Sequence, residues 1–263
     1  MSINLTVKET GNNPVIIHAN GKSSRGVTIY HKIMNKFFEN ETPTSTDDTN
    51  DITIVTWKGG KYANEETILE TCMRFYDFPV VILDWPSNAN FWEGSKTKVT
   101  KTLEAINSGL INTKYVMWFD AGDVMLLRHP VELLEKYKEH YSDWDLVFNA
   151  EKNNYPKPDR MVGVDKVLNE RFEEVKSFDE SKDHNSPFKY LNSGCLIGKT
   201  ETLKELLELA STIGLDEPIN DTVMCRIAQY DMKDRVCVDH LCKLFVCLYG
   251  VEEDEIEVGV TDE

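Results

Sequence analysis

Two aspartates at the end of a short apolar run are the residues best suited to chemistry in this chain. The segment reads Lys114-Tyr-Val-Met-Trp-Phe-Asp120-Ala-Gly-Asp123-Val-Met-Leu-Leu127. Tyr115 to Phe119 is apolar, aromatic and β-branched, with the length and composition of a buried strand rather than a helix. Asp120-Ala-Gly-Asp123 then turns the chain at the C-terminal end of that strand, the edge at which open α/β sheets bind ligands. Gly122 lets the backbone fold tightly, so both carboxylates can face one hard cation. A divalent ion beside a phosphate suits this pair. The plain alternative is a strand end with two solvated acids.

The elements that must hold this pair alternate between strand and helix patterns. Pro14-Val-Ile-Ile-His18 is a short strand leading into His18-Ala-Asn20-Gly21-Lys22. Val27 to Phe38 carries apolar residues at helical spacing, and residues 39–51 are polar and read as a linker. Ile52 to Thr56 opens a second strand, Glu65 to Tyr76 a helix, and Pro79 to Asp84 a third strand. Trp85 to Gly94 reads as a loop, Thr97 to Ser108 as a helix closed by Gly109, and Val131 to Tyr141 as a helix begun by His129-Pro130. Asp145 to Ala150 and Tyr190 to Gly198 are strands; Glu201 to Ser211 and Asp221 to Tyr230 are helices. Met161 to Asn185 is charged and gives no clear pattern, Val236 to Val246 reads as a strand, and an acidic tail follows from Glu252. This alternation predicts one α/β domain over residues 1–263 with a mostly parallel, helix-covered sheet. There is no internal repeat, and neither a GxGxxG nor a GxxxxGK[ST] phosphate loop.

Composition narrows the class. With 41% apolar and 28% charged residues over 263 positions, the chain has the make-up of a soluble globular protein with a large core. No stretch approaches the ~20 apolar residues of a membrane span. The first residues lack a basic segment followed by an apolar one, so the expected location is the cytoplasm. A net charge of −16 argues against a protein that grips nucleic acid through its phosphates. The six cysteines (72, 195, 225, 237, 242 and 247) lie mostly in apolar segments and read as reduced core thiols. Cys237, Cys242 and Cys247 with His240 lack zinc-site spacing and read as strand and core.

Five segments together carry a resemblance. Phe119-Asp-Ala-Gly-Asp-Val124, Phe148-Asn-Ala-Glu151 with Pro156, Tyr190-Leu-Asn-Ser-Gly-Cys-Leu-Ile-Gly198, Val236-Cys-Val-Asp239-His and Ile16-Ile-His18-Ala-Asn-Gly21 span most of residues 14–250. They resemble the glycosyltransferase domain of the lysyl hydroxylase/collagen glucosyltransferase family, which is similar to other GT-A nucleotide-sugar transferases. In that family the His-x-Asn-Gly strand follows the Asp-His segment; here it comes first. The chain therefore looks circularly permuted, with residues 1–38 as the displaced element, 39–51 as the new joint and 52–250 as the main body.

The resemblance implies roles. Asp120, Asp123 and His18 would hold Mn²⁺, and carboxylates plus one imidazole suit Mn²⁺ better than a closed zinc site. Asn20, Gly21 and Lys22 would meet a donor phosphate, and Lys98 stands where the family places a donor-binding lysine. Thr56 and Trp57 end a strand of the nucleotide half and are candidates for the uracil, with Trp92 flanking the donor. Asn192, Ser193 and Gly194 would run beside the sugar. Glu151, Asp221 and Asn192 are the residues put forward for catalysis, with Tyr155 and Asp221 facing the acceptor. The family carries a run of acids where this chain reads Pro218-Ile-Asn220-Asp221-Thr, so the acceptor is open.

The expected activity is Mn²⁺-dependent, configuration-retaining transfer of glucose or galactose from a UDP-sugar to a hydroxyl of a protein, such as hydroxylysine in a collagen-like repeat, or of a glycan. A glucosyltransferase of modified DNA bases and a metal-free binding domain are the alternatives. No nucleophile is assigned.

Overall fold

The computed structural model describes residues 2–20, 24–40, 51–59, 63–85, 91–157, 161, 163–181, 185–213, 216 and 219–261, some of them at element ends through their backbone alone. Strands β1 (Ser2–Val7) and β2 (Ile16–His18) precede helix α1 (Ser24–Asn40). Then follow β3 (Ile52–Lys58), α2 (Ile68–Phe75), β4 (Val80–Asp84), α3 (Phe91–Asn107), β5 (Tyr115–Phe119), β6 (Val124–Leu126) and α4 (Pro130–Tyr141). The chain continues through β7 (Leu146–Glu151), α5 (Lys166–Ser181), β8 (Tyr190–Lys199), α6 (Thr200–Ser211), α7 (Asp221–Asp231), β9 (Val236–Val238), β10 (Phe245–Cys247) and β11 (Ile256–Thr261).

Six strands form the central sheet in the order β4-β3-β5-β8-β7-β9. β3 is parallel to β4 and β5, β7 is parallel to β9, and β8 alone runs antiparallel to both neighbours. The fold is thus α/β with a mostly parallel sheet, as the alternating pattern predicts. Every residue of β5 and β7 is buried, which explains their unbroken apolar runs: a strand covered on both faces has no reason to alternate.

A second, three-stranded sheet brings the N-terminal segment to the aspartate turn. β2 lies between β10, to which it is parallel, and β6, to which it is antiparallel. His18 pairs with Val124, the residue after Asp123, and Ala19 N–H donates to Asp123 O at 2.8 Å. Register therefore fixes His18 beside the two acids. β1 pairs antiparallel with β11, Ser2 opposite Thr261.

Several elements differ from the sequence reading. The acidic end is not a tail: a single 3-10 turn at Glu253–Glu255 leads into β11, whose Ile256 is buried with Ile3, Leu5 and Val7 of β1. Residues 166–181 form α5, and only Phe172, Val175 and Asp179 of it are buried, too thin a stripe to stand out among its charges. α3 starts at Phe91, inside the expected loop. α2 starts at Ile68 because Thr67 caps it in a reciprocal box with Glu70. The span 236–246 is two strands in different sheets. The Asp239 carboxylate accepts from the N–H groups of Lys243, Leu244 and Phe245 at 2.8, 2.7 and 2.9 Å and turns the chain between them. Most of the 39–51 linker lies outside the described residues. All six cysteines are free thiols. No helix among the described residues is long and apolar enough to cross a membrane.

Candidate active site

The C-terminal ends of β5 and β7, the bend in β8 and the start of α7 enclose a cavity of about 440 Å³. Asp120 leaves β5 with its N–H bonded to Gly194 O at 2.8 Å, and three residues later the chain presents Asp123. His18 Nε2 lies 3.4 Å from Asp123 Oδ1 and 3.9 Å from Asp120 Oδ2. One ligand atom from each of these three residues falls within 4.8 Å of the others. His18 Nε2 is buried and makes no well-aligned hydrogen bond. A buried nitrogen aimed at two acids is what a cation site supplies, and this hard, mixed oxygen and imidazole set fits Mn²⁺. Burial opposes charge on His18, but the Asp123 carboxylate outweighs it and holds the imidazole well above its ordinary pKa. A divalent cation at this point would displace that proton, since a ligating imidazole is neutral.

Gly194 makes the site possible. A Cβ there would come within 2.1 Å of His18 Cε1, so only glycine leaves room for the ring against β8.

Lys98, on α3, bridges the metal side to α7. Its Nζ lies 2.6 Å from Asp120 Oδ1 and 3.3 Å from Asp221 Oδ2. Burial works against its charge, yet the two carboxylates hold the ammonium firmly protonated. Burial raises the Asp120 carboxyl, Lys98 pulls it down, and the acids Asp123 and Asp221 add to the rise. Asp221 stands in the first turn of α7, capped by Asn220, where a carboxylate meets the positive helix end. Ser193 Oγ lies 2.9 Å from Asp221 Oδ2 and 2.8 Å from Thr222 Oγ1.

Glu151 is a different kind of acid. It is 1% exposed and accepts from Asn192 Nδ2 at 3.3 Å, while Asn192 Oδ1 accepts from Gly194 N–H at 2.8 Å. Burial pushes its carboxyl up to about 7. At neutral pH it can therefore give or take a proton within the cavity.

The cavity brings together His18, Asn20, Lys98, Asp120, Asp123, Glu151, Tyr155, Asn192, Ser193, Gly194 and Asp221 from the sequence reading. Thr56 and Trp57 do not line it. Thr56 is spent on Phe119 O at 2.7 Å, and Trp57 packs on Trp118 with centroids 4.2 Å apart and Lys98 over its ring. Gly21 and Lys22 lie outside the described residues, as does the side chain of Trp92. Five wall residues were not foreseen: Trp85, Ser95, Asn220, Thr222 and Tyr249. Trp85 directly follows β4, and the strand-end rule that singled out Trp57 would have found it. Gly59 lets Trp85 approach, since a Cβ there would meet Trp85 O at 2.2 Å.

Residues 73–263 match the family described as PLOD GT domain. The chain belongs to that family. The match contains Asp120, Asp123, Glu151 and Asp221 but not His18, which the fold supplies from outside it. A curated relative, the uncharacterized protein R699 of Acanthamoeba polyphaga mimivirus, is 26% identical over 161 residues, 61% of this chain. The matched region spans only 30% of that relative's length. Among solved structures, a glycosyltransferase involved in glycosylation of the major capsid of PBCV-1 aligns over 71% of this chain and 81% of its own. That alignment has 10% identity and a TM-score of 0.40 and adds nothing to the family assignment.

Proposed function

We propose that this member of the PLOD GT domain family is a Mn²⁺-dependent, retaining glycosyltransferase that moves a hexose, glucose or galactose, from a UDP-sugar to a hydroxyl group of a protein or glycan. Hydroxylysine of a collagen-like protein fits that acceptor class. The observation that carries the reading is the His18, Asp120 and Asp123 group set against the cavity, with Lys98 reaching Asp120 from the side.

Asp120, Asp123 and His18 would hold the metal, which when bound neutralises charge on the departing diphosphate as a Lewis acid. Lys98 supplies a second positive charge at the same place, and Asn20 closes that side. Trp85 offers an aromatic face for the donor. Asn192, Ser193 and Asp221 present polar atoms toward the sugar; Ser193 donates to the Asp221 carboxylate and is itself paired with the Thr222 hydroxyl. Glu151 and Tyr155 face the remaining space, where a hydroxyl acceptor needs a proton acceptor and an apolar rest.

The test is UDP release from a panel of UDP-sugars, with Mn²⁺ and with EDTA, for the wild type and Asp123→Ala. Release that needs metal, prefers one sugar and disappears in the variant supports the reading and names the donor. No release with any UDP-sugar, together with no Mn²⁺-dependent UDP binding, sinks it in favour of a binding domain.

We also propose that the order of segments is permuted. His18 lies outside the colinear family match yet completes the site, and the strands nearest the two ends pair with each other. A chain rejoined from residue 263 to residue 1 by a short glycine linker and opened within residues 41–50 is expected to fold and bind Mn²⁺ as the original does. Failure of that chain to fold counts against the permutation.

A further inference from the structure

Asn149 is the one amide in a strand whose neighbours are Leu146, Val147, Phe148 and Ala150, and it is 0% exposed. A fully buried amide in such a strand is costly unless its polar atoms are used. The β7–β8 register explains its aim. Phe148 pairs with Leu196 and Asn149 with Asn192, so residues 193–195 of β8 bulge away from β7. Bulges redirect side chains. Asn149 Nδ2 comes to 3.3 Å from His18 Nδ1.

Among the described residues, two buried atoms here find no hydrogen-bond partner, one on each residue: Asn149 Oδ1 and His18 Nε2. With Nδ2 toward the ring, Nδ1 has to accept, so the imidazole proton sits on Nε2. That nitrogen then has no lone pair for a cation, and Oδ1 is stranded. Half a turn of the amide exchanges Oδ1 and Nδ2 without changing its shape. Oδ1 then accepts from Nδ1–H, and Nε2 is bare toward Asp120 and Asp123. Ligating imidazoles use this arrangement, coordinating through one nitrogen and donating from the other. We propose that Asn149 is the positioning residue that fixes the tautomer and orientation of His18 for the metal, acting through its carbonyl oxygen. The proposal rests on the metal reading above. Cys247, opposite His18 on β10, is a further polar neighbour of the ring, and a thiol is the weaker acceptor.

The readout is Mn²⁺ affinity from the paramagnetic resonance signal of the free ion, with thermal unfolding of each metal-free variant to confirm folding. Asn149→Leu keeps the size and removes the acceptor, and is expected to weaken Mn²⁺ binding by about 10–100-fold. Asn149→Asp keeps an acceptor and should stay within a few-fold of wild type. Cys247→Ala should also stay close to it. Wild-type affinity in Asn149→Leu overturns the proposal, as does a loss confined to Cys247→Ala. Should Asn149→Leu not fold, Asn149→Asp decides alone: retained binding supports an acceptor role, and lost binding means the amide acts by donating. A wild-type protein that binds no Mn²⁺ overturns the metal reading and this inference with it. Wild-type binding that is indifferent to residue 149 overturns only the inference.

Discussion

Two buried cations serve this fold in opposite ways. Arg226, on α7, is 0% exposed; both terminal nitrogens are engaged, while its Nε finds no partner among the described residues. Nη1 donates to Asn154 Oδ1 at 2.6 Å and to Tyr155 O at 3.1 Å, and Nη2 to Asp179 Oδ2 at 2.7 Å. Its guanidinium lies 4.8 Å from the centre of the Phe172 ring and 5.4 Å from that of Tyr190. Lys98 shares its charge between Asp120 and Asp221, both at the cavity wall. A planar fork between two rings has one geometry, whereas an ammonium on a flexible stem can follow its partners. Arg226 thus ties the Tyr155 loop and α5 to α7, and Lys98 holds carboxylates that a metal can share. α7 carries both ends of this contrast, with Asp221 at its start and Arg226 inside it.

Replacing each cation by methionine tests the contrast. Arg226→Met removes the buried ion pair with Asp179 and the hydrogen bonds to Asn154 and Tyr155, and is expected to cost about 3–5 kcal/mol of stability, read by denaturant unfolding. Added Mn²⁺ should recover none of it beyond the rise seen in wild type. Lys98→Met is expected to lower kcat/KM by about 10²–10³ with a smaller stability loss, because its carboxylates open onto the cavity. Mn²⁺ should raise the melting temperature of Lys98→Met more than that of wild type, since the ion takes over neutralisation of Asp120. If Mn²⁺ rescued Arg226→Met equally, the two cations would not be doing different work.

The Lys98 half of the site was more legible in sequence than the Arg226 half, for a physical reason. Asp120 and Asp123 sit one tight turn apart after an obvious strand, so their shared aim is a local property. Lys98 followed from the resemblance and is held by one helix. His18 needs the long-range pairing of β2 with β6, which no local pattern encodes; only the family likeness pointed to it. The Arg226 contacts join residues 47, 71 and 72 positions away, through a helix that the sequence did not declare. The alternating elements were readable because buried strands and amphipathic helices leave periodic traces. Trp57 stands outside the cavity lining because strand-end position does not say whether a ring faces the cavity or, as here, Trp118.

Glu151 lies under the influence of both sides, feeling His18 and Arg226, and gives the next effect in size. Burial first raises its carboxyl, and the Asn192 hydrogen bond and the two cations pull it back only to about 7 from an ordinary 4.5. The folded state therefore binds a proton that the unfolded chain has released. Its stabilising contribution is complete below pH 4.5 and is lost as pH rises through 7, then stays flat. Glu151→Gln removes this slope. Wild type should lose up to about 3 kcal/mol relative to the variant across that window, since one pKa unit is about 1.4 kcal/mol. Arg226→Met should move the Glu151 titration upward, because a charge that favours the carboxylate is gone. A difference between wild type and Glu151→Gln that does not change with pH would mean the carboxylate is solvated rather than buried.

The smallest effect marks the lower end of the same scale. Lys101 and Glu104 pair at 2.7 Å across one turn of α3, with side chains 45% and 63% exposed. Their distance matches that of Lys98 to Asp120, so distance alone would rank the two pairs together. Water and salt screen the outer pair, and holding two long side chains costs entropy, so Lys101→Ala should change stability by less than about 0.5 kcal/mol. Lys98 differs in having few waters to return to and two acids that repel each other once it is gone. Comparable losses from Lys101→Ala and Lys98→Met would mean that the cavity wall is as wet as the helix surface. Lys98 would then be an ordinary surface cation, and its assigned part in binding the donor would have to be given up.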